Sequence, residues 1–239
     1  MTTDLWIPRG GARGLALHDH EVRYLQETGR VLLLRPLVRT RAQASWLTTA
    51  DILAAHSARI IPDDDDTSAS WVRLETSNQQ WPVDIPVPLK VGEWRWVQEA
   101  WCDALTPYHE TGDADAHGGP RDPCCGYRAD RRYTCGKPIP DIPRAWHAAR
   151  RMRRAHSRMA VRVGISAIRR ADAWPAIFCV TSGAFTATRE RTDPTQYDEA
   201  RLRGILAGVW AQCQRAHPWH TNPWIIATLL ARVPAMPGA

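Results

Sequence analysis

Nine arginines crowd one stretch of this sequence: Arg144, Arg150, Arg151, Arg153, Arg154 and Arg158, continuing to Arg162, Arg169 and Arg170. A planar guanidinium matches phosphate oxygens bidentately and stacks on bases, so such a cluster suits a polynucleotide track. The alternative is a solvated basic face. Only 2 of the 31 basic residues are Lys (Lys90 and Lys137), and a GC-rich coding sequence produces that bias without any selection for function. The formal charge of +6 is firmer ground, because a positive surface concentrates polyanions, nucleic acid above all.

Twelve Trp residues accompany the arginines. Trp146 and Trp219 sit beside Arg or His in polar stretches and are candidates to stack on unpaired bases. Trp94, Trp96, Trp101, Trp210 and Trp224 lie in apolar patterns and are assigned to the core. Glu99 occupies a strand position inside an apolar segment. A carboxylate there is either a catalytic acid or base with a raised pKa, or the partner of an arginine such as Arg158, and ion pairs perturb pKa values without doing chemistry. Ser157 follows His156, but no Ser-His-Asp order is evident and strand neighbours point to opposite faces.

Metal chemistry has thin support. His109, His117, Cys124, Cys125 and Cys135 are of ligand type, yet they form no CxxC pair, and no metal or other cofactor is expected. His18-Asp19-His20 reads as a loop before the first helix rather than a metal pair. Asp63 to Asp66 repel one another and read as a solvated loop. The six cysteines lack the dense spacing of a disulfide scaffold and are read as reduced thiols. No h-region follows Met1, and no apolar run approaches the roughly 18 residues of a membrane span, so the expected location is cytoplasmic, without membrane contact.

The elements that must position these residues follow from pattern. Residues 1–14 read as an arm, 15–233 as one domain with loop insertions at about 56–70 and 107–123, and 234–239 as a tail. Glu21 to Gly29 predicts a helix stopped by Gly29, and Val31 to Leu34 a buried strand. Ser45 to Ala55 and Ala145 to Ala155 predict helices. Trp71 to Leu74 and Glu93 to Trp101 predict strands, Trp81 to Leu89 an edge strand or loop because of its prolines, and Tyr127 to Ala129 a short strand. Arg158 to Ile168 spaces Met159, Val161, Val163 and Ile165 by two, a half-buried strand. Tyr197 to Cys213 has helical spacing of Leu202, Ile205, Leu206, Val209 and Trp210, and Trp224 to Leu230 predicts a closing strand. Short strands with few helices predict an α+β fold or a small barrel.

Several segments, in order, resemble one family. Gly92 to Trp101 (GEWRWVQEAW) is similar to the GDRLWVRETW segment of phage and prophage ASCH-like proteins, and Tyr127-Arg128-Ala129-Asp130 to a YRAD piece. Met152 to Val161 (MRRAHSRMAV) resembles their MPRWASRITL, keeping Met152, Arg154, Ser157 and Arg158. Asn222 to Ile226 is similar to their closing NPWVWV, after a helix whose Val209-Trp210 resembles their LW. Order and spacing agree from about residue 15 to 233.

The resemblance implies a PUA-like (ASCH) β-barrel with flanking helices, in a bacterial host cell, and a family of nucleic-acid binders, nucleases and acylcytidine amidohydrolases. The chain departs from it after the first helix. Where the phage branch reads GRKTQTRR, this sequence has Gly29-Arg30-Val31-Leu32-Leu33-Leu34-Arg35. Val31 then stands at the Lys position and Leu34 at the Thr position of the amidohydrolases, and neither can move a proton or attack a carbonyl. Arg35, Arg39 or Thr40 could serve only after a local shift.

Three functions remain open on this reading: a module binding RNA or single-stranded DNA through Arg154, Arg158 and their neighbours; an enzyme hydrolysing a nucleoside, a modified nucleoside included, or nucleic acid, with Glu99 as acid/base; and a phage accessory protein that binds a host protein.

Overall fold

The computed structural model describes residues 13–63, 70–76, 81–103, 125–133, 138–139, 146–188 and 194–233. The fold is α+β. Strand β1 (Gly14–Ala16) leads into helix α1 (Asp19–Thr28), strand β2 (Arg30–Pro36), helix α2 (Thr49–Ala54) and strands β3 (Ser57–Pro62), β4 (Ser70–Glu75) and β5 (Val83–Pro86). Strands β6 (Trp94–Gln98), β7 (Trp101–Asp103), β8 (Cys125–Tyr127), β9 (Arg132–Tyr133) and β10 (Ala160–Arg170) follow, then short α3 (Phe178–Thr181), α4 (Glu199–Cys213) and β11 (Trp224–Arg232).

The largest sheet has the order β1-β6-β10-β11-β2, and two three-stranded sheets run β3-β4-β5 and β7-β8-β9. Among the described residues the five-stranded sheet is open, with β1 and β2 at its edges, so no closed barrel forms. In β1 the pairing with β6 is parallel; β6-β10, β10-β11 and β11-β2 are antiparallel.

Alternation along β2 divides two cores. Val31 and Leu33 join Leu17, Val22, Leu25, Val97, Met159 and Val161 on the α1 side, while Leu32 and Leu34 face Leu206, Val209 and Trp210 of α4. Burying each large apolar side chain contributes about 1.5–3 kcal/mol. A third core joins the β3-β4-β5 sheet to the far ends of β2 and β11 through Val72, Leu74, Ile85, Trp224 and Ile226.

Helix boundaries follow their caps. His18 starts α1 in a capping box with Glu21, and Gly29 stops it in the left-handed region at φ 75°. Asp198 caps α4 by accepting from the Arg201 N–H at 2.7 Å.

Several expectations change in three dimensions. Ser45 to Ala55 is a 3-10 turn (Ala42–Ser45) followed by α2, because Thr48 starts a fresh capping box with Asp51. The described part of Ala145 to Ala155 is no α-helix: it holds two 3-10 turns, Ala149–Arg151 and Arg154–His156, separated by extended Met152 and Arg153, since only Met152 among its side chains is drawn into a core. Residues 57–62, expected within a loop insertion, form β3 against β4, and Gly14, expected in the arm, opens β1. In β10 the register shifts between Val163 and Ser166, and this bulge turns Ile165 outward to 75% exposure, off the face of Val161 and Val163. Residues 107–123 and 234–239 lie outside the described residues, as do Asp64 to Asp66.

Candidate nucleic-acid interface and neighbouring cleft

The arginine cluster separates into two populations. Arg158, just before β10, is an internal clamp: its Nε and Nη2 donate to Glu99 at 2.9 and 2.8 Å, its Nη1 donates to Asp130 at 2.5 Å, and its guanidinium lies 4.0 Å over the Tyr127 ring. Arg170 is a second clamp, donating to the carbonyls of Asn222, Leu53 and Ala55 and covering Trp224. These two are occupied within the fold. The sequence reading placed Arg158 on phosphate; the structure places it on two carboxylates.

Arg150, Arg151, Arg153 and Arg154 are exposed. The first three make no ion pair among the described residues. Their backbone is nonetheless fixed, because Gln98 of β6 donates to the carbonyls of Arg150 and Met152 at 3.4 and 3.2 Å and Met152 is buried beside Trp96 and Tyr127. The turn at 149–151 packs along β1 and β6. Residues 142–171 contain nine Arg and no Asp or Glu, so the stretch itself supplies no carboxylate to this ridge. Arg162 and Arg169 are exposed on β10, Arg169 lying 5.7 Å over Trp174. Arg144 lies outside the described residues.

Aromatic residues are placed differently from the sequence reading. Trp219 packs edge-on against Trp210 at 5.6 Å, on the α4 side of the sheet and away from the ridge, because the 3-10 turn at 219–221 folds it onto α4. Trp146 is half-buried, three residues before the turn that carries Arg150. Trp101, assigned from sequence to the core, is half-buried and packs at a tilt against His147 and His156, ring centroids 4.7 and 4.9 Å apart. Its apolar context concealed this, since the two imidazoles come from a segment 46 and 55 residues further along the chain.

Glu99 is wholly buried. Burial pushes its carboxyl above the usual carboxylate range, against the pull of the Arg158 hydrogen bonds and charge. Burial also works against the Arg158 charge, but Glu99 and Asp130 outweigh that and raise its pKa. Both Glu99 oxygens are taken by Arg158, which is the pairing alternative of the sequence reading. The Ser157 hydroxyl is likewise engaged, within reach of the Val97 carbonyl of β6 at 2.7 Å and of the Met159 carbonyl at 2.9 Å.

A cleft of about 300 Å³, counted out to open solvent, lies between α1, β2 and α4, and its walls include His18, His20, Arg35, Ser182, Cys213 and Gln214. Sequence reasoning missed it because its walls come from four separate stretches. Glu21 and Arg35 close its base with a two-pronged pair at 2.6 and 2.9 Å. Burial opposes the Glu21 charge, yet Arg35 holds its carboxyl down at about 2. Burial lowers the pKa of His18 and of His20, favouring the neutral imidazoles, and they stack in parallel at 5.7 Å. The recess thus sets two imidazoles and the paired Glu21 and Arg35 beside apolar Leu34 and Val209.

Leu34 lines this cleft while Val31 faces the opposite core, so the two positions that the resemblance pairs for catalysis diverge. Arg39 donates to the carbonyls of Ala44 and Leu47, and the Thr40 hydroxyl bonds Gln43, so neither replaces the missing groups. No group of three or more His, Cys, Asp or Glu among the described residues is arranged to hold a metal ion. Of the zinc candidates, only Cys125 is described; His109, His117, Cys124 and Cys135 are outside. No helix among the described residues is long and apolar enough to cross a membrane. No family model, no curated protein and no solved structure matches the chain.

Proposed function

We propose that this protein is a nucleic-acid-binding module that takes RNA or single-stranded DNA along its arginine ridge, on an ASCH-like, PUA-like scaffold of the phage or prophage type. The observation that carries the reading is the ridge itself. Arg150, Arg151 and Arg153 are exposed cations on a backbone pinned to β6, in a stretch free of carboxylates. A held backbone presents these guanidinium groups together, and contacts to phosphate supply the sequence-independent part of binding.

Beside the ridge, Trp101 with His147 and His156 provides a stacking surface for a base. The strand along which the ridge packs, β1, runs on to His18 and the mouth of the cleft. Glu99 serves this reading as a scaffold group: both its oxygens are held by Arg158, which leaves no lone pair directed at a substrate.

The test is binding of labelled, mixed-sequence single-stranded RNA and DNA across a salt series. Affinity falling steeply with salt supports the reading. Absence of binding at low salt overturns it, and capture of a host protein that survives nuclease treatment would then favour a protein partner.

A further inference from the structure

We propose that Cys125 is a nucleophilic thiolate paired with the imidazolium of His156, and that this pair is a modification site for hydroperoxides. The inference does not depend on the nucleic-acid reading. Cys125 Sγ lies 2.6 Å from His156 Nδ1. The His156 backbone is fixed on both sides, its carbonyl accepting from the Tyr127 hydroxyl at 2.8 Å and its backbone N–H donating to the Arg153 carbonyl at 3.0 Å, and its ring packs at a tilt against Trp101. A thiol within hydrogen-bond reach of a base is the arrangement that activates it.

Tyr127, two residues along the same face of β8, lies beneath the Arg158 guanidinium, whose charge Glu99 and Asp130 match. The positive partner of the thiolate is therefore the imidazolium of His156 itself. Among the described residues, apolar Met152, Trp96 and Ala160 share the core cluster of Cys125. Cys179 and Cys213 contrast with this: burial pushes the Cys179 thiol up to about 11 and raises that of Cys213, and neither has an imidazole in hydrogen-bond reach among the described residues.

Cys125 is only 2% exposed. A thiol so enclosed admits a small oxidant rather than a peptide or a protein disulfide, which sets the substrate class. The thiolate attacks one peroxide oxygen; the S–O bond forms as the O–O bond breaks. The departing hydroxide takes the proton held by His156 and leaves as water. Sulfur is oxidised by two electrons to sulfenic acid and the peroxide is reduced.

Hydrogen peroxide, then its removal by catalase and unfolding in dimedone so that the trap reaches enclosed sulfur, read cysteine by cysteine by mass spectrometry on the full chain, tests this. Cys213 is the more exposed thiol, so exposure alone has it react first. The proposal has Cys125 labelled at least about tenfold faster than Cys213, and has His156→Gln remove that lead while leaving the Cys213 rate unchanged. Cys125 labelled no faster than Cys213 in the wild type overturns it, as does an undiminished Cys125 rate in folded His156→Gln. Should that variant unfold, seen as labelling of Cys179, Tyr127→Phe replaces it. That change keeps the ring and removes only the hydroxyl that holds His156; a several-fold slower Cys125 supports the proposal, and an unchanged rate overturns it.

Discussion

Arg158 grips both oxygens of Glu99 through parallel hydrogen bonds at 2.9 and 2.8 Å, with the Glu99 side chain 1% exposed and that of Arg158 23% exposed. Removing one member of such a pair leaves a charge without its partner in a poorly solvated place. Because Asp130 still holds Arg158, Glu99→Ala is expected to cost about 2–4 kcal/mol, toward the lower part of the range for broken buried pairs. Urea unfolding midpoints measure this. Folded Glu99→Gln is expected to keep its affinity for single-stranded nucleic acid, whereas turnover of a nucleoside lost in that variant would restore the enzymatic alternative.

Glu21 makes stability depend on acid in a defined direction. Its folded pKa of about 2 lies below the ordinary 4.5, so folding favours the ionised form. The resulting stability is complete above about pH 4.5 and is lost as pH falls from there toward 2. A gap of this size is worth about 3 kcal/mol. The stability difference between wild type and Glu21→Gln, followed by urea unfolding from pH 7 to pH 2.5, should therefore shrink on acidification; a difference that grows would contradict the pairing with Arg35.

Two glycines should respond in opposite directions to alanine. Gly183 has φ 75°, and a Cβ there would meet the His20 carbonyl oxygen at 2.6 Å and Tyr24 Cβ at 2.8 Å. Gly183→Ala is expected to destabilise by about 2 kcal/mol or more, from backbone strain plus overpacking. Gly208 lies in α4 with nothing within 4 Å of its added Cβ. Gly208→Ala should stabilise by about 0.5–1 kcal/mol. Thermal melts of the two variants, side by side, check both.

Restoring the family's polar pair should not restore hydrolysis. Val31 is 1% exposed and faces the core opposite to the cleft that Leu34 lines. Val31→Lys is expected to cost about 3 kcal/mol or more by burying an amine without a partner. The double variant Val31→Lys, Leu34→Thr should show no acylcytidine hydrolysis in a direct assay, since the two side chains point apart.

Local signals carried much of the architecture. Gly29 at the end of α1, the alternation around Val161 and Val163, and the helical spacing of Leu202, Leu206 and Val209 each correspond to an element of the structure. The segment at 149–156 misled because Arg and Ala favour helix intrinsically, while only Met152 is pulled into a core and the backbone answers to Gln98 instead. Ile165 misled because a bulge inverts faces in the middle of a strand whose residues give no local sign of it beyond Gly164.

The site was half legible for the same reason. That Glu99 and Arg158 pair was readable as one of two alternatives, from residue types alone. That Arg158 is thereby withdrawn from the arginine cluster was not, because its partners lie 59 and 28 residues away in sequence. Nor was the Trp101 stack or the cleft at His18 and His20, each assembled from segments that only the folded sheet brings together.

The central claim rests on the exposed ridge, and the salt dependence of binding tests it most directly. For Arg150→Ala, Arg151→Ala and Arg153→Ala combined, unfolding midpoints should stay within about 0.5 kcal/mol of wild type, as for other exposed sites. Affinity for a mixed-sequence single-stranded oligonucleotide should fall, and the slope of log K against log salt should flatten by roughly 2, the value for three lost phosphate contacts. An unchanged slope and affinity in the folded triple variant would contradict the account.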